Sequence, residues 1–192
     1  MLSDPADTAR LIGGLRLALA LMQDGAVRPL RNELVPRAPA FGRALQLTNI
    51  LKDIREDLDR GFCWLPRTYM ERHGLSPGNL IAPEKREAAV ALLDDLVAVA
   101  RHECDVAFEY SLILPRSEPG LRLFCLWPLL FAVRTLAVLA HNPAVFDPAP
   151  VKIDRETVMR IMVLTRESVM DDQALQALYA ECARGLPEGR RA

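Results

Sequence analysis

The segment from Phe41 to Pro66 constrains this chain more than any other, because it combines an apolar helix face with a cluster of polar groups. It reads FGRALQLTNILKDIREDLDRGFCWLP, and its periodicity predicts one helix from about Arg37 to Arg60, which Gly61 ends. At about 100° per residue, the polar side chains that fall on one face are Gln46, Asn49, Asp53, Glu56, Asp57 and Arg60. A helix that buries one side and points carboxylates and amides from another is suited to form the wall of a polar cavity.

The other periodic segments also predict helices. Apolar residues at helical spacing indicate helices over about 5–23, 88–110 and 121–140, one that begins near Asp154 and one that ends near Arg184. Asp154 is expected to cap the helix that it precedes. Pro128, inside the segment 121–140, is expected to start or kink that helix.

Proline and glycine predict the loops between these helices. The segment 62–83 reads as a loop with one helical turn near 67–72. No alternating strand pattern with hairpin turns occurs in the sequence. We therefore predict a single all-α domain of six or seven helices over 1–185 and a flexible tail over 186–192.

Charge and cysteine usage narrow the range of functions. A formal net charge of −1 excludes a strongly basic nucleic-acid surface, so we expect no nucleic-acid partner. The four cysteines, at 63, 104, 125 and 182, lie far apart without a CxxC pair, which is typical of reduced thiols in a cytosolic protein. The N-terminus MLSDPADTAR lacks the basic start of a secretory signal, and the apolar run 123–133 is too short to span a bilayer. These features favour a cytoplasmic location, and we expect the apolar run to form a core helix.

Asp53 and Asp57 indicate a magnesium site, because carboxylates four residues apart on a helix stand one turn apart on the same face. Magnesium keeps several waters and is usually held by one or two carboxylates together with phosphate oxygens of a substrate. The remaining ligands would therefore come from a diphosphate. Gln46 and Asn49 add neutral hydrogen-bonding groups on the same side of the helix.

Two basic residues extend this hypothesis. Lys52 or Arg60 could neutralise phosphate charge without competing for the metal. The alternative is a solvated helix face, on which Asp and Glu are common and carry no function.

The motif itself resembles a known family. The stretch QLTNILKDIREDLDRGFCWLP is similar to the second aspartate-rich motif of the squalene and phytoene synthases, in which a Q-x-x-N-I-x-(R/K)-D-x-x-(E/D)-D segment runs through a glycine into Leu-Pro or Trp-Pro. The segment LFCLWPLLFAVRTLAVLAHNPAVF resembles the FC-x-x-P helix of squalene synthases, and PVKIDRETV resembles the VKI segment that follows it there. These later segments favour squalene synthase over phytoene synthase.

The resemblance implies an isoprenoid synthase-type helical bundle and a reaction in two stages. Two farnesyl diphosphates would condense head to head to presqualene diphosphate, which would then rearrange and be reduced by NADPH. Peripheral membrane contact would suit the lipid-like product. The implied phosphate and metal binders are Asp53 and Asp57, with Glu56 as a weaker candidate. Gln46 and Asn49 would line the cavity beside them.

The same resemblance implies residues for the reductive stage. Phe124 and Cys125 match the helix linked in the family to reduction, and Lys152 matches a basic residue near the nicotinamide phosphate. Two neighbours depart from the pattern, since Leu129 stands where glutamine is usual and Asp154 where a basic residue often follows VKI. The plain structural alternative is that Phe124 and Cys125 are core residues and Lys152 a surface residue.

The family carries two aspartate-rich motifs, and this sequence shows one. We therefore expect a bundle that is incomplete at the N-terminus, together with a partner chain or a dimer that covers the missing helices. Three functions follow as alternatives: a squalene synthase-like prenyltransferase, a non-catalytic or partner-dependent paralogue that binds prenyl diphosphate weakly, and a phytoene synthase-like enzyme that does not use NADPH. For the isolated chain we expect low activity.

Overall fold

The computed structural model describes residue 25 and residues 27–191, so the helix predicted over 5–23 lies outside the described residues. The α-helices in this part of the chain are α1 (Arg31–Leu34), α2 (Ala38–Lys52), α3 (Ile54–Asp59), α4 (Arg67–Arg72), α5 (Arg86–Ile113), α6 (Pro119–Leu139), α7 (Arg155–Ser168) and α8 (Asp172–Cys182). Short 3-10 segments cover Arg28–Leu30, Pro83–Lys85 and Pro143–Phe146. No strand occurs between residues 27 and 191, which confirms the all-α prediction. The predicted number of helices was too low, because α1 and α3 are short and were not recognised as separate elements.

Three long helices form the centre of the bundle. Helices α2, α5 and α6 pack against one another, and α7 and α8 pack against α6 and each other. Their shared core includes the fully buried Leu92, Leu126, Leu129, Leu130 and Leu136. These residues come from the predicted apolar faces, so burial of the amphipathic stripes explains the packing.

The helix predicted over 37–60 is interrupted at Asp53, which separates α2 from α3. Asp53 has φ −104° and ψ +15°, outside the helical range. Its N–H still donates to Asn49 O at 3.0 Å, and the Asp57 N–H donates to Asp53 O at 2.9 Å. The irregularity is therefore confined to one residue. Side-chain positions calculated at about 100° per residue for a regular helix do not hold for residues on opposite sides of Asp53. The sequence pattern could not indicate this break, because no proline or glycine lies near Asp53.

Gly61 ends this helical region as predicted. It has φ +83°, a left-handed conformation that glycine adopts without a steric penalty. The Phe62 N–H then donates to Asp57 O at 2.8 Å, which satisfies a carbonyl at the end of α3. The turn directs the segment after Gly61 back against α3.

Helix α6 is longer than the apolar run on which the prediction rested. It begins at Pro119 and continues through Pro128, so Pro128 does not start it. Its 21 residues make it the one helix of the described part that is long and apolar enough to cross a membrane by length and composition. The run 123–133 is by itself too short to span a bilayer, as predicted, but the helix that contains it is not. Half of its most apolar window is nevertheless buried inside the bundle, as expected for a core helix.

Side-chain caps fix the starts of α7 and α8. Asp154 accepts a hydrogen bond from the Thr157 N–H at 2.6 Å, which confirms the predicted cap. This bond holds the pKa of Asp154 below its usual range. Asp171 accepts from the N–H groups of Gln173 and Ala174 at 2.9 and 3.1 Å. Both caps satisfy donors at a helix N-terminus, so the bounds of α7 and α8 follow from local chemistry.

The segment predicted as a tail, 186–192, contacts α5 through its described residues. The Arg190 N–H donates to Ala98 O at 3.0 Å. Gly189 lies so close to α5 that an added Cβ would stand 2.9 Å from the backbone nitrogen of His102. The Arg190 side chain also pairs with Asp95 at 2.7 Å. A pattern of apolar side chains does not indicate such contacts. The domain boundary at 185 and the flexibility of the tail stay predictions.

Candidate functional site

A groove of about 370 Å³ lies between the α2–α3 junction and the segment that leads from the last 3-10 turn to α7. Its charged lining residues are Lys52, Asp53, Arg55, Glu56, Asp59, Arg60, Asp147 and Lys152. Arg55 joins the two walls of the groove, and Arg86 ties the second wall to α5. Arg55 donates to Phe146 O at 3.2 Å, and Arg86 donates to Pro143 O and to Asp147 Oδ1 at 2.9 Å each. The groove is therefore built by tertiary contacts between parts of the chain that are far apart in sequence.

The charges that line the groove are balanced, with four basic and four acidic side chains. Most of them are already paired. Lys52 Nζ lies 3.2 Å from Asp53 Oδ2, Arg55 pairs with Asp59 at 3.0 Å, and Arg60 pairs with Glu56 at 2.5 Å. Among the described residues, Lys152 has no carboxylate within ion-pair distance. Within the described part of the chain, an anion in the groove would thus meet one cation without a carboxylate partner, Lys152, and three cations that are already partly neutralised.

The groove brings together residues from two separate sequence predictions. Lys52, Asp53, Glu56 and Arg60 come from the aspartate-rich motif, whereas Lys152 comes from the VKI segment. Such convergence of charged groups in a concavity is typical of a binding site.

Asp57 does not line this groove. It is half-buried and borders a separate cavity of about 10 Å³, together with Phe62 and Trp64. Those two aromatic rings stack with centroids 6.1 Å apart and are 56% and 62% exposed. Asp53 and Asp57 therefore line different cavities, although the bond from the Asp57 N–H to Asp53 O keeps them one helical turn apart. Their joint role in binding magnesium stays a prediction.

Asn49 borders a third cavity, of about 300 Å³, between α2 and α6. Its other lining residues are Leu45, Thr48, Lys52, Pro128, Phe131, Ala132 and Thr135. Lys52 is common to this cavity and to the groove, so a polar space and a mostly apolar one meet at its side chain. Gln46 is exposed and lines neither space.

Phe124 and Cys125 lie apart from the groove. Phe124 is 75% exposed, whereas Cys125 is buried in a small cluster with Val27, Leu34 and Leu114. Burial raises the pKa of the Cys125 thiol to about 11. Phe124 and Cys125 do not line the groove that contains Lys152, so their role with Lys152 in binding NADPH stays a prediction and we derive no reductive step from them.

The acidic residues fit magnesium only in an open arrangement. No group of three or more His, Cys, Asp or Glu side chains that could hold a metal occurs among the described residues. A closed cage of protein ligands is therefore lacking in this part of the chain. Asp53 supplies a hard oxygen donor at the groove, and Glu56 lies one turn away, which matches the usual mode of Mg²⁺ binding by one or two carboxylates and a substrate phosphate.

Sequence reasoning missed three charged residues of the groove, Arg55, Asp59 and Asp147. The first two fall off the polar face that a regular helix predicts, and Asp147 lies in a proline-rich loop without a motif. A charge count along 52–60 would have indicated Arg55 and Asp59. Nothing in the sequence indicated Asp147.

Comparison with known proteins gives a consistent result. The family model for squalene/phytoene synthase matches residues 8–157. The 15-cis-phytoene synthase of Enterobacter agglomerans is 34% identical over 121 residues, which cover 63% of this chain and 39% of that protein. The squalene synthase of Homo sapiens is 33% identical over 135 residues, which cover 70% of this chain and 32% of that protein. The chain thus spans about a third of the length of these relatives.

A solved structure agrees with the fold. TcSQS in complex with the ligand E5700 superposes with a TM-score of 0.62 over 78% of this chain and 50% of that one. At 23% sequence identity, this likeness supports the fold alone. The helical bundle described above therefore corresponds to part of the squalene synthase fold. The motif from Gln46 through Pro66 and the family match over residues 8–157 agree with this fold. The chain therefore belongs to the squalene/phytoene synthase family.

Proposed function

We propose that the groove at Asp53 binds the diphosphate group of a prenyl diphosphate together with Mg²⁺, and that it does so as part of a squalene synthase-like prenyltransferase. The observation that carries this proposal is the meeting of Lys52, Asp53, Glu56 and Arg60 with Lys152 in one groove. The motif supplies the first four residues, and the fold adds the fifth from a distant segment.

The charge balance of the groove gives the proposal its metal dependence. Four cations and four anions leave no excess positive charge to attract a diphosphate. Mg²⁺ held at Asp53 and Glu56 would supply the missing positive charge and would stabilise a leaving diphosphate. Asp53 and Glu56 would hold the ion, while Lys152, Arg60 and Lys52 would contact phosphate oxygens. We therefore expect the diphosphate to bind weakly in the absence of Mg²⁺.

The neighbouring cavity offers a place for the hydrocarbon chain. Leu45, Pro128, Phe131 and Ala132 give it apolar walls, and Lys52 links it to the groove. In the proposed complex the diphosphate lies in the groove and the first isoprene units lie between α2 and α6. An apolar wall of this kind would shield an allylic cation from water.

For the substrate and reaction we propose farnesyl diphosphate and head-to-head condensation through presqualene diphosphate. A second candidate is a non-catalytic or partner-dependent paralogue that only binds prenyl diphosphate. It is favoured because this sequence shows one aspartate-rich motif. One motif would neutralise only part of the charge on a leaving diphosphate. A third candidate, a phytoene synthase-like enzyme without NADPH, is favoured by the 34% identity to a 15-cis-phytoene synthase.

These candidates are separated by assaying the 192-residue chain with farnesyl diphosphate and Mg²⁺, with and without NADPH. Binding is measured by calorimetry and products by gas chromatography. We expect Mg²⁺-dependent binding, and squalene formation at least about 100-fold slower than by a full-length squalene synthase assayed alongside, because loss of even one group that stabilises charge costs about 100-fold or more.

Comparable turnover by the chain alone would contradict the expected low activity. Lack of any Mg²⁺-dependent binding would contradict the proposed function itself. Conversion of geranylgeranyl diphosphate to phytoene, independent of NADPH and faster than conversion of farnesyl diphosphate, would favour the third candidate.

A further inference from the structure

A basic cavity lies between α6, α7 and α8 and shares no residue with the charge-balanced groove at Asp53. Its volume is about 250 Å³. It is lined by Arg134, Thr157, Arg160, Ile161, Leu164, Leu178, Glu181, Cys182 and Arg184. Ile161, Leu178 and Cys182 are buried and form an apolar floor, while the three arginines and Glu181 form the rim.

The rim carries excess positive charge. Arg160 donates to Glu181 Oε1 at 2.7 Å. Among the described residues, Arg134 and Arg184 have no carboxylate within ion-pair distance. The charge of Arg134 also helps to lower the pKa of Asp154. The Asp154 carboxylate, however, accepts a hydrogen bond from the Thr157 N–H at the start of α7. Three guanidinium groups thus face one carboxylate at the mouth of this cavity.

Arg134 is the least expected of these residues. It lies in α6, whose only other charged residue is Arg122, and Arg122 is paired with Asp172. Arg134 is half-buried, so part of its hydration is lost without a compensating ion pair in the described part of the chain. Burial, and after it the charge of Glu181, raises the pKa of the Cys182 thiol on the floor of the cavity to about 11, whereas Arg134 and Arg160 act in the opposite direction.

We propose that this cavity binds a phosphorylated or diphosphorylated compound with a short apolar group, and that it does so without a metal ion. One guanidinium group can donate two parallel hydrogen bonds to two phosphate oxygens. The ligand would supply a counter-charge to Arg134 and Arg184, which have no carboxylate partner among the described residues. The apolar floor would accept a few carbon atoms. The cavity is smaller than the roughly 300–1,000 Å³ typical of pockets for drug-sized ligands, so the compound is small. This binding is independent of the function proposed for the groove.

The test is titration of the full chain in EDTA with dimethylallyl diphosphate, inorganic diphosphate and dimethylallyl alcohol, followed by amide NMR signals and calorimetry. We expect dimethylallyl diphosphate to bind more tightly than inorganic diphosphate, and the alcohol not to bind. The signals of Thr157, Leu164 and Cys182 should shift, whereas those of Asp53 and Lys152 should not. Working in EDTA separates this site from the Mg²⁺-dependent groove, so each proposal can fail alone.

Variants locate the binding on the rim. Arg134→Gln and Arg184→Gln should each weaken the affinity for dimethylallyl diphosphate about tenfold, as expected for loss of a charged hydrogen bond to phosphate. Arg184 is exposed, so its variant keeps the fold even if the half-buried Arg134 does not tolerate replacement. Arg166→Gln is the matched control, because Arg166 is exposed on α7 and does not line the cavity. The affinity of this variant for dimethylallyl diphosphate should equal that of the native chain.

Absence of binding at millimolar dimethylallyl diphosphate would overturn the proposal, as would unchanged affinity in Arg184→Gln. Binding of an oligoglutamate peptide at these residues without binding of dimethylallyl diphosphate would also overturn it, since the site would then recognise a protein segment. Tighter binding of dihexanoyl phosphatidic acid than of dimethylallyl diphosphate at these residues would support the phosphate chemistry and identify a lipid head group as its source.

Discussion

Asp172→Asn is expected to lower the free energy of unfolding by about 3 kcal/mol, the lower end of the range for breaking a buried ion pair. Asp172 is the carboxylate that pairs with the fully buried Arg122, and it also binds the exposed Arg116 at 2.5 Å. Arg122 makes this contact through Nη2, and its Nε and Nη1 atoms have no hydrogen-bond partner among the described residues. The variant would leave a buried guanidinium without its counter-charge. Urea denaturation followed by circular dichroism measures the effect.

Glu181→Gln is the control for Asp172→Asn. It breaks the ion pair with Arg160, whose side chain is 64% exposed, so we expect a loss of less than about 1 kcal/mol. Equal losses in the two variants would show that burial of Arg122 does not decide the effect.

The same ion pair predicts a pH dependence. Burial acts to raise the pKa of Asp172, but hydrogen bonds from Arg122 and Arg116 outweigh it and hold the pKa below its usual range. A carboxyl group with a lower pKa in the folded state contributes stability above its unfolded value of about 4, and this contribution is lost as the pH falls through the folded value. The difference in stability between the native chain and Asp172→Asn should therefore shrink below about pH 4. A constant difference down to pH 2 would contradict this assignment.

The double variant Asp53→Asn with Asp57→Asn is expected to abolish the Mg²⁺-dependent part of farnesyl diphosphate binding. An amide oxygen carries no charge and is a poorer ligand for Mg²⁺ than a carboxylate. The affinity measured by calorimetry with Mg²⁺ should fall to the value that the native chain shows in EDTA. Because Asp53 lines the groove and Asp57 does not, Asp53→Asn alone should account for most of the loss.

A matched control for this double variant is Glu71→Gln with Glu87→Gln, which also removes two acidic groups. Both side chains are exposed and lie outside the groove, so binding should not change. Unchanged binding in the Asp53 and Asp57 variant would assign that pair to a solvated helix face, which was the alternative interpretation of the sequence.

The fold could be predicted where a local signal was strong. The helix predicted over 88–110 is observed as Arg86–Ile113, and the turn predicted near 67–72 is observed as Arg67–Arg72. Apolar periodicity over many turns explains the first success, and flanking proline and glycine explain the second. The break at Asp53 could not be predicted, because the residues around it form helices readily and no local signal opposes them.

The candidate site was predictable in part. The motif indicated Asp53, Glu56, Lys52 and Arg60, and these residues line the groove. The resemblance, rather than any spacing, indicated Lys152, because residues about a hundred positions apart meet only through tertiary packing. Asp57 and Asn49, which were predicted from the same helix face, line neighbouring cavities instead of the groove. The metal and substrate roles of all these residues stay predictions.

The cavity at Arg134 was missed for a different reason. Arg134 was visible as a charge at the end of an apolar run, but Arg160 and Arg184 look like ordinary surface residues in the sequence. Their common position depends on how α7 and α8 pack against α6. A cluster built from three helices has no signature in any one of them.

The central claim, that Mg²⁺ and a prenyl diphosphate bind together at Asp53, is tested most directly by paramagnetic NMR with Mn²⁺ in place of Mg²⁺. When farnesyl diphosphate and Mn²⁺ are both present, the amide signals of Asp53, Glu56 and Lys152 should broaden, and those around Arg184 should not. Broadening should be much weaker with Mn²⁺ alone, because the carboxylates supply only part of the coordination. Broadening elsewhere in the chain, or equal broadening without farnesyl diphosphate, would contradict the claim.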